Sequence, residues 1–112
     1  MLEIDKGLLG EILGEEVNET IILEGSILKY SYKYLGYAEI NIYELAHICK
    51  EWALGRGYRL ISFSRECFLY EMQELYDVSE QLNQWSEWFE ADTELEAVIK
   101  ACTHILNNLS NK

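Results

Sequence analysis

The spacing of apolar residues changes period several times along this chain, and each change marks a predicted element. In residues 4–14, IDKGLLGEILG, Ile4, Leu8, Leu9, Ile12 and Leu13 fall at helical spacing. Gly7, Gly10 and Gly14 interrupt the run. An interior glycine costs a helix about 1 kcal/mol, so a short, frayed helix is expected. The period then drops to two. TIILE and ILKYSYK flank Gly25-Ser26, a two-residue connection suited to a tight hairpin. In the second strand Leu28, Tyr30, Tyr32 and Tyr34 share one face, and Ile27, Lys29, Ser31 and Lys33 the other.

Helical spacing returns over residues 41–54. Asn41 is a good cap, Glu44 stands three positions later as in a capping box, and Ile42, Leu45, Ala46, Cys49, Trp52 and Ala53 form one apolar stripe. Gly55 and Gly57 follow as stop signals. YRLISFS and CFLYEM then predict a second hairpin around Arg65-Glu66. Residues 73–84, QELYDVSEQLNQ, are polar, and their Leu75, Val78 and Leu82 suit a short helix or a loop equally. WSEWFE (85–90) alternates as a strand. A last helix opens at Thr93 with Glu96 as its capping-box partner, and Leu95, Val98, Ile99, Cys102, Leu106 and Leu109 supply its stripe.

The order is thus weak helix, hairpin, helix, hairpin, strand, helix. Strands joined by hairpins pair antiparallel, so the expected fold is α+β. It has a mainly antiparallel sheet of about four to five strands, two hairpins plus one strand, packed by two principal helices and a short N-terminal helix. A hairpin followed by a helix occurs twice, which hints at an internal pseudo-repeat. A chain of 112 residues, 49% of them apolar, is expected to form one domain over residues 1–112. No run of about 18 uncharged apolar residues is present. The N-terminus carries acids where a secretory signal needs a basic start, so a cytoplasmic location and no membrane association are expected.

Charge alters the picture more than composition does. Twenty acids and nine bases leave a net charge of −11. Residues 66–99 contain Glu66, Glu71, Glu74, Asp77, Glu80, Glu87, Glu90, Asp92, Glu94 and Glu96 without one Lys or Arg. A nucleic-acid backbone needs a cationic surface, so direct nucleic-acid binding is not expected. A basic protein partner is compatible with this balance. Solubility alone also accounts for much of it.

Candidate chemistry is sparse. His47-Ile48-Cys49 and Cys102-Thr103-His104 resemble ligand pairs, but neighbours two apart in a helix point to different sides and do not share an ion. Cys49 and Cys102 fall on apolar stripes, where a free thiol packs as a small hydrophobe. Cys67 has no histidine nearby in sequence to act as its base. Three cysteines without a short pairing motif do not make a disulfide framework. Gly7, Gly10 and Gly14 lack both the preceding strand and the Lys-Ser or Lys-Thr of a phosphate loop. No catalytic residue, cofactor or metal is therefore assigned. What remains is aromatic: Tyr30, Tyr32, Tyr34 and Tyr37, then Trp85, Trp88 and Phe89. One such row is core on a half-covered sheet, whereas strands aromatic on both faces must expose some.

Two segments, GYAEINIYELAHICKEWALGRGY (36–58) and FEADTELEAVIKACTHIL (89–106), carry a resemblance. Leu45, Ala46, Cys49, Glu51 and Trp52, followed by Ala91, Asp92, Thr93, Glu94, Glu96, Ala97, Lys100 and Ala101, make the chain similar to small bacterial, often prophage-associated proteins of the phage α/β sandwich type. The resemblance implies a layered α/β fold and a mobile-element setting, and it brings no active site with it. The functional expectation is a non-enzymatic, acidic protein-binding module, an inhibitor that occupies a basic, nucleic-acid-binding surface of another protein. Its contacts would be Asp77, Glu80, Glu87, Trp88 and Glu90. The alternatives are a self-associating structural protein, with exposed aromatics forming a homodimer interface, and a small-ligand binder or undetected enzyme with converging carboxylates in a pocket.

Overall fold

A computed structural model describes residues 4–32, 36–71 and 87–110. Two compact units divide the chain, Met1–Ile48 and Cys49–Lys112. The first opens with helix α1 (Lys6–Leu13). Asp5 caps it, accepting the Leu8 N–H at 3.0 Å, and Gly14 ends it in the left-handed region at φ 71°. Leu8, Leu9 and Ile12 are buried along its inner side. Gly10 has a packing reason: a Cβ there would stand 2.8 Å from the Glu15 carbonyl oxygen. The glycine that weakens the helix thus lets the chain turn back closely toward strand β1 (Val17–Glu24), on which α1 packs.

Strands β1, β2 (Ile27–Tyr32) and β3 (Gly36–Asn41) form an antiparallel sheet in that order. Glu24 pairs with Ile27 across the expected Gly25-Ser26 turn, with Gly25 at φ 60°. Register partners share a face. Leu28, Tyr30 and Ile40 therefore lie together and are buried. On the opposite face Lys29 stands 2.9 Å from Glu24 and 3.9 Å from Glu39, and that pairing raises the lysine's pKa. Tyr34 and Lys33 lie outside the described residues. Strand β3 runs directly into α2 (Ile42–Leu54), where Asn41 Oδ1 accepts the Tyr43 N–H at 2.8 Å.

The second unit repeats the motif of a three-stranded meander followed by a helix. Strands β4 (Tyr58–Phe63), β5 (Glu66–Glu71) and β6 (Glu87–Glu90) form an antiparallel sheet in sequence order. Helix α3 (Glu94–Ser110) then packs across all three. Thr93 caps α3, its Oγ1 accepting the Glu96 N–H at 3.2 Å. Leu95, Val98, Ile99, Cys102 and Ile105 are buried on its stripe, facing Leu60, Cys67 and Leu69 of the sheet.

The class is α+β with antiparallel strands, as the periodicities predict. The strands differ in number and grouping: six among the described residues, in two sheets of three, rather than four to five in one. The additional strand is β3, whose GYAEIN carries only Ala38 and Ile40 on its inward side. The second turn is Ser64-Arg65, because Phe63 pairs with Glu66. Ser64 takes φ 54°, a conformation that costs an L-residue about 1 kcal/mol. Residues 73–84, read as helix or loop, lie outside the described residues.

Candidate functional site

Strand parity determines what the second sheet presents. Leu60 pairs with Leu69, Ser62 with Cys67, and Cys67 with Phe89, so these side chains share the face under α3. Ser62 Oγ donates to Glu94 Oε1 at 3.1 Å, and the Phe89 ring lies 5.6 Å from that of His104. The alternate residues form the outer face. Ile61, Phe68 and Trp88 are register partners in one row across three strands, and Phe63, Glu66 and Glu90 form the next. Phe63 is 54% exposed, Trp88 45% and Ile61 36%, while Phe68 is half-buried and stacks on Phe63 with ring centroids 5.6 Å apart. At the other end of this face Tyr70 is buried beside half-buried Arg59. The exposed apolar area is thus confined to the end nearest the Ser64-Arg65 turn.

Five residues were expected to form the contact surface, and they divide three ways. Trp88 and Glu90 lie on this outer face. Glu87 is exposed but pairs with Leu69, so its parity belongs to the α3 side. Asp77 and Glu80 lie outside the described residues. Ile61, Phe63, Phe68 and Glu66 complete the face and were not among the expected contacts. Their signal was present in RLISF, where apolar side chains occupy both parities, a pattern of strands covered on both sides. The carboxylates of Glu66 and Glu90 make no ion pair among the described residues, whereas Asp92 stands 3.7 Å from Arg65. Lys100 Nζ donates instead to the backbone oxygen of Glu90 at 2.8 Å.

Among the described residues of the first unit, the exposed tyrosines Tyr37 and Tyr43 lie on different elements. Tyr37 pairs with Ser31, next to Lys29 and Glu39 on the polar face, and Tyr43 occupies the first turn of α2.

The remaining chemistry is muted. All three cysteines are buried free thiols. Burial pushes the Cys67 thiol up to about 12. Cys102 donates to the Cys49 carbonyl oxygen at 3.8 Å, and a side-chain hydrogen bond with Cys49, then burial, raises its pKa. Such thiols are poor nucleophiles, since the thiolate is the reactive form. His47 is exposed where Cys49 is buried, and His104 is half-buried beside buried Cys102. Among the described residues no three His, Cys, Asp or Glu side chains are grouped to hold a metal ion. An open cleft of about 590 Å³ lies over Gly7, Gly10 and Gly14 of α1 and the start of β1, with Lys6, Glu11, Glu15 and Glu16 around it. Gly10, whose close approach to the Glu15 carbonyl oxygen brings the chain back toward α1, lies in its lining. Among the described residues, no helix is long and apolar enough to cross a membrane.

Comparison with protein-family models, curated proteins and solved structures finds no match to this chain.

Proposed function

We propose that the protein is a non-enzymatic binding module that engages a basic protein through the outer face of its second sheet. One observation carries this reading. Ile61, Phe63 and Trp88 lie exposed together on one sheet face, in register with Glu66 and Glu90. A folded chain gains by burying apolar side chains, about 25 cal/mol per Å² removed from water, so a grouped exposed set marks a contact surface. Aromatic residues are also the usual anchors of such surfaces. The net charge of −11 favours cationic partners and speeds their encounter. An inhibitor that blocks a nucleic-acid-binding surface fits this chemistry, because such a surface is itself cationic. The resemblance to phage α/β sandwich proteins is consistent with that role and with action in the cytoplasm.

The test is capture from a cell lysate by the immobilised chain at low and high salt, beside a chain carrying Phe63→Ser and Trp88→Ser. A basic protein held at low salt by the unaltered chain, released by salt and missing from the variant, is the expected result. Absence of capture at low salt overturns the reading. The exposed face also favours self-association, and light scattering separates the two: a mass that rises to the dimer with concentration would assign the face to a second copy.

A further inference from the structure

The inner side of the second sheet shows what the outer side is shaped to accept. One helix, α3, covers the inner face across β4, β5 and β6. Three strands about 4.8 Å apart span about 10 Å between the outer two, which matches the roughly 10–12 Å diameter of one helix with its side chains. The outer face has the same width. Its apolar row, Ile61-Phe68-Trp88, crosses all three strands, and Phe63 extends it toward the turn. Beside Phe63 stand Glu66 and Glu90, direct register partners. Like charges directly opposite across a sheet are unfavourable, and neither carboxylate has an ion-pair partner among the described residues. A cation between them would offset that repulsion.

We propose that this face docks one amphipathic α-helix of a partner protein, with its apolar stripe over Ile61, Phe63 and Trp88 and a flanking Lys or Arg over Glu66 and Glu90. The inference rests on the protein-binding reading above and adds the form and charge of what is bound. It makes the exposed end of the sheet, from Ile61 and Trp88 to the Ser64-Arg65 turn, a middle layer between two helices, while Tyr70 at the other end of the face is already buried. An extended strand covers less of a face three strands wide. A second copy of this chain is poorly matched in charge: each copy carries −11, and the three described helices contain one lysine each and no arginine.

Three synthetic peptides of about 18 residues, five helical turns, test the proposal against the full chain by calorimetry at low salt. The first places leucines at i, i+3, i+4 and i+7 with lysines on the flanks. The second scrambles the same composition, and the third replaces each lysine with glutamate. Binding is expected for the first peptide alone. Phe63→Ser or Trp88→Ser should weaken it about thirtyfold, the size of a hot-spot loss. Glu66→Gln with Glu90→Gln, which leaves the apolar row in place and keeps the chain folded, should weaken it about threefold or more at low salt. Equal binding of the scrambled peptide overturns the helix. If the face variants weaken both peptides alike, the face still binds basic protein and only the helical form is lost. Failure to bind the first peptide also overturns the inference, and the lysate capture then decides the wider reading on its own. Indifference of the first peptide to both sets of variants places the binding elsewhere and overturns the inference too.

Discussion

The Cys67 thiol should make the fold lose stability in alkali by a predictable amount. It lies fully buried between Ser62 and Phe89 on the α3 side of the second sheet, and burial raises its pKa from 9.0 to about 12. A group whose folded pKa is raised stabilises the fold in full below its unfolded pKa, and that contribution is lost as pH climbs through the folded pKa. For Cys67 the window runs from 9.0 to about 12. The unfolded chain releases this proton first, so stability falls with a slope approaching 1.4 kcal/mol per pH unit. The loss amounts to about 1.4 kcal/mol between about pH 7 and pH 10. Cys67→Ala removes the group. The variant starts lower by about 1–2 kcal/mol, from lost packing, but lacks this pH-dependent loss. Urea unfolding followed by tryptophan fluorescence, at several pH values from about 7 to 10, measures the difference. The gap between the two proteins should close by about 1.4 kcal/mol over that range. A gap that stays constant would mean that Cys67 titrates like an exposed thiol, and the buried-sheet packing around it would be refuted.

Further expected outcomes concern the elements that hold the two units. Asn41→Ala removes the 2.8 Å cap on the Tyr43 N–H and should cost about 1 kcal/mol in urea unfolding. Gly10→Ala should destabilise, although alanine normally favours a helix by about 1 kcal/mol, because its Cβ would meet the Glu15 carbonyl oxygen at 2.8 Å; thermal melts give the sign. Ser64→Gly should raise stability by up to about 1 kcal/mol, since φ 54° suits glycine. Leu69→Ala opens a cavity in a position 1% exposed and should cost about 2–5 kcal/mol.

Elements specified by neighbouring residues were legible in the chain. The caps at Asn41 and Thr93, and the stripes behind them, depend on contacts within a few positions, and the structure shows the helices where those signals stand. Gly25-Ser26 was readable for the same reason. Strand β3 was not, because Ala38 and Ile40 are too few to mark it and its place depends on pairing with β2. The second turn lies one residue earlier than its flanking runs suggest. That slip moves each cross-strand partner by two positions, so Phe68 faces Ile61 rather than Phe63, and leaves the faces unchanged. The same logic separates Glu87 from Trp88. Adjacent strand residues point to opposite sides, and crowding in sequence is no guide to shared surface. The outer face is assembled from three strands, and only their register brings Ile61, Phe63, Glu66, Trp88 and Glu90 together.

Amide chemical-shift mapping tests the central claim most directly. The isotope-labelled chain is titrated with the cationic amphipathic peptide or with a captured basic partner, and the shifted residues are located. Changes are expected to concentrate at Ile61, Phe63, Glu66, Phe68, Trp88 and Glu90, with the α1 cleft and the polar face around Lys29 quiet. Changes centred on Gly10 and Glu15, or on Tyr37 and Glu39, would contradict it.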